Sequence, residues 1–190
     1  MNRLRFIKVR RVKAPRRGNP GDAGLDFFVP IDLTVMDLDL ANLNVPGMSI
    51  HTEPLQGGTI YAKVDKDDWY VDEITLAPHA RLVIPSGIRV LLEPEHSMLQ
   101  VNNKSGVSTK KGLIFTAEVV DSTYTGEIHL CVLNTTTDYV TIKRNDKLVQ
   151  LIHIPVYLTE PEEITEDEFQ SEANNWSSRG TGWQGSTGNK

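Results

Sequence analysis

Apolar positions along this chain recur at every second residue rather than every third or fourth. In residues 3–10, Leu4, Phe6 and Val9 alternate with basic side chains, which predicts a half-buried β-strand. Similar short runs recur at residues 81–84, 88–92, 98–101, 127–133, 139–142 and 148–156. Turn formers part them: Pro85-Ser86-Gly87, Glu93-Pro94-Glu95, Thr125-Gly126, residues 134–138 and Asn145-Asp146. Many short strands with this punctuation predict an all-β sandwich, barrel or distorted jelly roll. Residues 105–111, beside Gly106 and Gly112, interrupt the alternation and predict one short buried helix, with a weaker helical pattern over 162–169. No internal repeat is visible.

Two regions depart from a simple sandwich. Residues 37–73 hold eight acids against two lysines, together with Pro46-Gly47 and Gly57-Gly58, and read as an inserted arm with a hairpin around 59–70. Residues 174–190 are rich in Gly, Ser, Thr and Asn, with almost no aliphatic side chain, and are expected to be disordered when free. The expected organisation is a β domain over 1–158 carrying the arm at about 37–73, then an acidic connector and glycine-rich lid over 159–190.

Composition narrows the function classes. With 190 residues, 39% hydrophobic and 24% charged, the chain matches one folded domain rather than a disordered protein. No apolar run reaches the ~18 residues that span a bilayer, and no apolar leader opens the chain, so a cytoplasmic protein with no membrane association is expected. The single cysteine, Cys131, excludes an internal disulfide, multi-cysteine zinc sites and iron–sulfur clusters; it lies in an apolar run as an expected buried strand residue. A net charge of −5 argues against a nucleic-acid binder. The charge is nevertheless uneven: residues 1–17 carry eight bases and no acid, a solvated strand face or a phosphate-binding arm. Residues 159–175 carry seven acids and no base, which suits a solvated connector. The five histidines show no H-x-x-H or HExxH spacing, and neither a Walker loop nor GxGxxG is present.

Three segments carry candidate chemistry. In Arg179-Gly180-Thr181-Gly182-Trp183-Gln184-Gly185-Ser186-Thr187-Gly188, glycines free the backbone N–H groups to approach an anion, Arg offers a fork for phosphate oxygens, and an aromatic can cover a base; a plain glycine-rich tail is the alternative. In Asn103-Lys104-Ser105-Gly106-Val107-Ser108, a Lys-Ser-Gly turn opens a helix, either as a phosphate cradle or as an ordinary N-cap. In residues 117–128, Asp121 closes an apolar strand with Tyr124 three residues on, so its carboxylate either activates a water or caps its own turn. Asp22 and Asp26 flank Ala23-Gly24 as turn formers or as acceptors for metal-bound water.

Taken in order, these segments resemble the homotrimeric dUTPase family, which converts dUTP to dUMP and pyrophosphate. Ala23-Gly24-Leu25-Asp26-Phe27 is similar to A-G-x-D-L, and Lys104-Ser105-Gly106-Val107 to R-S-G-L. Val119-Val120-Asp121-Ser122-Thr123-Tyr124-Thr125-Gly126-Glu127-Ile128 is similar to V-I-D-x-x-Y-x-G-x-I. Asn145-Asp146-Lys147-Leu148-Val149-Gln150-Leu151 resembles G-D-R-I-A-Q-L, and residues 179–188 resemble R-G-x-G-G-F-G-S-T-G. The resemblance implies that Asp121 activates the water attacking the α-phosphorus, and that Asp26 accepts from water on a Mg²⁺ chelated by the triphosphate. It implies phosphate contacts from Lys104, Ser105, Gly106 and Gln150. Main-chain groups of the hairpin Ala117, Val119, Val120 and Asp121, with facing His129, would read uracil. Tyr124 would pack on the deoxyribose. Arg179, Gly185, Ser186 and Thr187 would close over the phosphates, in sites shared among three subunits with exchanged C-terminal arms. A backbone edge can tell uracil from cytosine because the two bases exchange a donor for an acceptor, and a wrongly paired buried polar edge costs about 1–3 kcal/mol.

Four departures stand out: Lys104 for Arg, Asn145 for Gly, Lys147 for Arg, and Trp183-Gln184 for Gly-Phe, so Trp183 is expected to cover the uracil from a shifted lid. The arm at 37–73 is extra to the family length, a surface decoration or an element for a protein partner; viral members carry such insertions, so a viral origin and action in the host cytoplasm are open. A dCTP deaminase would need a catalytic Glu near Cys131, where the chain reads His129-Leu130-Cys131-Val132. A non-catalytic, dUTP-responsive protein-binding module is the other alternative.

Overall fold

The structure is a computed structural model, described here for residues 3–53, 59–93 and 96–176. In chain order the elements are β1 (Arg3–Lys8), β2 (Leu25–Phe28), α1 (Val35–Asn42), β3 (Ile50–His51), β4 (Ile60–Val64), β5 (Val71–Leu76), β6 (Arg81–Pro85) and β7 (Ile88–Glu93). They continue with β8 (Ser97–Asn103), α2 (Ser105–Lys111), β9 (Leu113–Phe115), β10 (Val119–Asp121), β11 (His129–Asn134), β12 (Val140–Lys143), β13 (Lys147–Pro155) and α3 (Glu166–Trp176). Every run with period two became a strand, and the predicted helix at Ser105–Lys111 formed, closed by Gly112 in the left-handed region (φ 62°).

The strands form sheets ordered β1-β7, β10-β8-β13-β2, β6-β11-β9 and β12-β5-β4-β3. Their inner faces enclose one apolar core whose innermost side chains include Phe27, Leu33, Leu82, Ile84, Leu99, Leu113, Leu148 and Leu151. The chain divides into two compact units, Met1–Tyr157 and Leu158–Lys190. Among the described residues, the second holds α3, whose N-terminal turn is acidic and whose entry is capped by Thr165 against Glu168.

Several expectations are corrected. Among the described residues three helices are present rather than one, and α3 starts and ends later than the 162–169 pattern, taking in residues 174–176 that composition assigned to the tail. β1 is largely exposed rather than half-buried: among the described residues it pairs only with β7, and Phe6 and Ile7, with Val9 just beyond the strand, remain accessible. Alternation shows that one face is apolar but not that something within the chain covers it. Cys131 is half-buried on β11, with the Thr116 hydroxyl 3.2 Å from its sulfur.

The acidic arm is not a loose decoration, because its apolar residues complete the core. Leu38, Ile60, Ala62 and Val71 are buried, and β4 and β5 pair as an antiparallel hairpin that continues onto β12. Buried Asn42 fastens α1 to β6: its amide donates to the Leu38 and Val83 carbonyls (both 2.7 Å) and its oxygen accepts from Val83 N–H (2.8 Å). The acids find partners too. Arg144 reaches Asp65, Asp68 and Asp72 at 2.8, 3.1 and 2.9 Å, closing the hairpin turn.

A capping box starts α1: Asp37 N–H donates to the Thr34 hydroxyl (3.1 Å), and Thr34 N–H donates to the Asp37 carboxylate (2.9 Å). Burial opposes ionisation of Asp37, but the Thr34 donors and Arg10, 2.9 Å away, outweigh it and hold the carboxyl below the usual range. A depressed carboxyl stabilises the fold fully above its unfolded pKa, about 4, and loses that contribution as pH falls through its folded value. Asp37→Asn should therefore cost about 1 kcal/mol near pH 7 and progressively less below pH ~4. Denaturant midpoints of both proteins across that range check this; a gap independent of pH would count against it.

Candidate active site

Strand β13 is the spine of the site. It pairs with β2 on one side and β8 on the other, so Gln150 lies between Asp26 and Asn102 in register. At the end of β8 the chain enters α2 with Lys104 as N-cap, and the Lys104 ammonium closes on the Asp26 carboxylate. Lys147, at the start of β13, reaches the other Asp26 oxygen at 3.2 Å. Asp26 is only 3% exposed. Burial pushes its pKa up, yet the two ammonium groups outweigh that and hold it below the ordinary carboxylate range.

Local chemistry explains why these residues fold this way. The Asp26 backbone is fixed from outside the sheet, donating to the Arg16 carbonyl at 2.8 Å. Lys13 and Arg16 lie over the Phe28 ring at 5.5 and 5.6 Å, so the basic N-terminal segment lines this end of the sheet. Asn145 sits at φ 69°, and Asn tolerates that left-handed conformation better than most side chains, which accounts for the departure from Gly. Asp22 is the turn former of its pair, accepting from Asn19 N–H at 2.7 Å. The Gln150 side chain lies across Gly24, where a Cβ would come within 2.7 Å of Oε1 and 2.9 Å of the Gln150 Cβ. Gly106 differs: among the described residues a Cβ there would meet nothing within 4 Å, so their packing does not require its glycine.

The second group of candidates surrounds β10. This strand is the edge of its sheet, so one side of its backbone faces outward beyond the pairing with β8. Val120 points into the core, while Ala117, Val119 and Asp121 are exposed. Tyr124 N–H donates to the Asp121 carbonyl at 3.1 Å, turning the chain back. The Tyr124 ring then lies over Gly126, where a Cβ would clash with its hydroxyl at 2.5 Å. The Tyr124 hydroxyl donates to the Glu127 carbonyl at 2.8 Å, and His129 Nδ1 lies 2.9 Å from the same oxygen, which places the ring proton on Nδ1.

The chain thus gathers the sequence candidates into two groups rather than one. Asp26, Lys104, Ser105, Gly106 and Gln150 share one end of the β8–β13–β2 rows; Asp121, Tyr124 and His129 belong to the other. Asp121 is level with Met98 on β8, five residues from Asn103, or roughly 17 Å along a strand. Arg179, Trp183, Gly185, Ser186 and Thr187 lie outside the described residues. Sequence reasoning passed over Lys147 as a mere departure, and it missed Glu127. The signal for Glu127 was a charged residue beside the buried Ile128, a place that demands a partner.

Both Asp26 oxygens are taken by ammonium groups, so a cation that keeps most of its water and rides on phosphates, as Mg²⁺ does, would meet this carboxylate through that water as those contacts rearrange. Among the described residues no helix is long and apolar enough to cross a membrane. Gly24→Ala should push β2 away from β13 and lower stability by about 1–3 kcal/mol; a urea midpoint equal to wild type would show that Gln150 simply moves aside.

The comparisons with known proteins fit this arrangement. Residues 70–183 match the dUTPase family model, a span that omits the first motif and most of the arm. A Caldanaerobacter subterraneus deoxyuridine 5'-triphosphate nucleotidohydrolase is 33% identical over 130 residues, covering 66% of this chain and 83% of that protein. One from a Wolbachia of Culex pipiens is 34% identical over 102 residues, covering 53% of this chain and 62% of the relative. The dUTPase of Staphylococcus bacteriophage 80alpha with dUPNHPP shares the fold, with a TM-score of 0.67 at 18% identity and full coverage of both chains. A family match over more than half of the chain, joined by a relative covered over four fifths of its length, decides the matter: this chain belongs to the dUTPase family.

Proposed function

We propose that the dUTP diphosphatase reaction of this family runs here on a water held and deprotonated by Asp121. The observation that carries the reading is an exposed carboxylate at the end of an edge strand whose outward side pairs with no other strand among the described residues. The water oxygen bonds to the α-phosphorus, the bond from that phosphorus to the α,β-bridging oxygen breaks, pyrophosphate leaves, and the water proton passes to Asp121. Main-chain groups of residues 117–121, with His129, complement uracil, and Tyr124 walls the deoxyribose against a 2'-hydroxyl.

Lys104, Ser105, Gly106 and Gln150 bind the phosphates, and Arg179, Gly185, Ser186 and Thr187 close over them while Trp183 covers the base. Asp26 would hold Mg²⁺ through water, and the ion would supply charge neutralisation of the triphosphate. The wide separation of the two groups within one chain supports a homotrimer in which the base end of one copy meets the phosphate end of another. The substrate places the enzyme in the cytoplasm, the host's if the chain is viral. A second reading, a nucleotide-responsive protein-binding module, is favoured by one feature of the arm: Met36, Leu40 and Leu43 stand exposed along α1 and its C-cap.

Pyrophosphate release from dUTP, dCTP, UTP and dTTP with Mg²⁺ separates these readings. We expect turnover of dUTP, a drop of at least ~10²-fold in Asp121→Asn, and a solution mass of three chains. Binding of dUTP without pyrophosphate would favour the module, and ammonia from dCTP a deaminase. Trp183→Ala should raise KM for dUTP; unchanged KM and kcat would remove Trp183 from the site.

A further inference from the structure

Outside every motif, and outside the residues matched by the family model, Arg10 makes a contact that ends at the nucleotide pocket. Its Nε donates to the Glu127 carboxylate at 2.9 Å, and a terminal nitrogen lies 2.9 Å from Asp37 on α1. The same Glu127 oxygen accepts from Gly87 N–H at 2.7 Å. All three charged side chains are mostly shielded, at 20%, 16% and 24% exposed for Arg10, Glu127 and Asp37. Gly87 makes the approach possible: at φ 74°, a Cβ there would sit 3.0 Å from the Arg10 Cβ and 2.9 Å from Val12.

Glu127 is therefore held from both ends. Its carboxylate is tied inward to Arg10 and Gly87, while its carbonyl faces outward and receives the Tyr124 hydroxyl and the His129 ring. Any shift of the carboxylate moves that carbonyl, and with it the two side chains that would touch sugar and base. A mobile Tyr124 could yield to an added hydroxyl; a pinned one could not. We propose that Arg10 is a positioning residue for sugar discrimination, acting through Glu127 to hold Tyr124 against a 2'-hydroxyl, with Asp37 of the arm fixing the far side of the guanidinium. The inference rests on the dUTP reading of Tyr124.

Steady-state kinetics with dUTP and UTP test it. In Arg10→Met the ratio of kcat/KM for dUTP over UTP should fall about tenfold, and in Arg10→Lys, which keeps the charge but loses the fork, by less. Asp37→Asn should shift the ratio in the same direction by a smaller factor. A merely structural loss lowers the active fraction and leaves the ratio unchanged. If Arg10→Met does not fold, Arg10→Lys and Glu127→Gln carry the measurement. A wild-type ratio in every folded variant overturns the role of Arg10 while leaving the enzyme assignment intact. Wild-type protein that fails to turn over dUTP, or takes UTP equally well, overturns the reading of the pocket and this inference with it.

Discussion

A carboxylate that is almost fully removed from water has to be compensated, and the arrangement around Asp26 follows from that demand. Lys104, just past the end of β8, and Lys147, at the start of β13, answer it, so the ends of β8, β13 and β2 are drawn to one point. The same two cations, with Lys13 and Arg16 on Phe28, give this end of the sheet a positive character suited to a triphosphate. On the proposed reading, structural compensation and phosphate binding use the same charges. Ligand phosphates and a hydrated cation would redistribute contacts that already exist rather than order new side chains.

Distance along β8 governs the second feature of the molecule. Strands are stiff, so residues five positions apart on one strand cannot be folded onto each other. Asp121 and the lysine-bearing end are held apart by the very sheet that positions each of them. The shared site between copies proposed above would resolve this without bending the sheet, and it would give a purpose to apolar side chains such as Phe6, Ile7 and Val9 that stand exposed among the described residues. The arm at 37–73 follows a different logic. Four of its acids, Asp37, Asp65, Asp68 and Asp72, pair with Arg10 or Arg144, and its apolar residues extend the core, so it behaves as part of the fold.

Much of this was legible from residue order. Period-two alternation located the strands because a sheet face buries every second side chain, and the helix at Ser105–Lys111 showed as a break in that pattern. The motifs that place Asp26, Lys104, Asp121, Tyr124 and Gln150 were readable because each sets a turn former, a glycine or in the fourth motif Asn145, at fixed spacing from a polar group. The helix α1 was obscured because it is apolar on both faces: Leu38 is buried while Met36 and Leu40 are exposed, so no amphipathic period emerges.

The sequence by itself determined the β class, the family and the cast of candidate residues, since periodicity and local spacing are properties of neighbours along the chain. Only the tertiary structure decided that β1 would be exposed, that Lys147 would join Lys104 on Asp26, and that Arg10 would meet Glu127 across 117 positions. Contacts of that kind depend on which strands become neighbours in a sheet. Strand order is set by the packing of the whole core, and no local stretch of residues contains it.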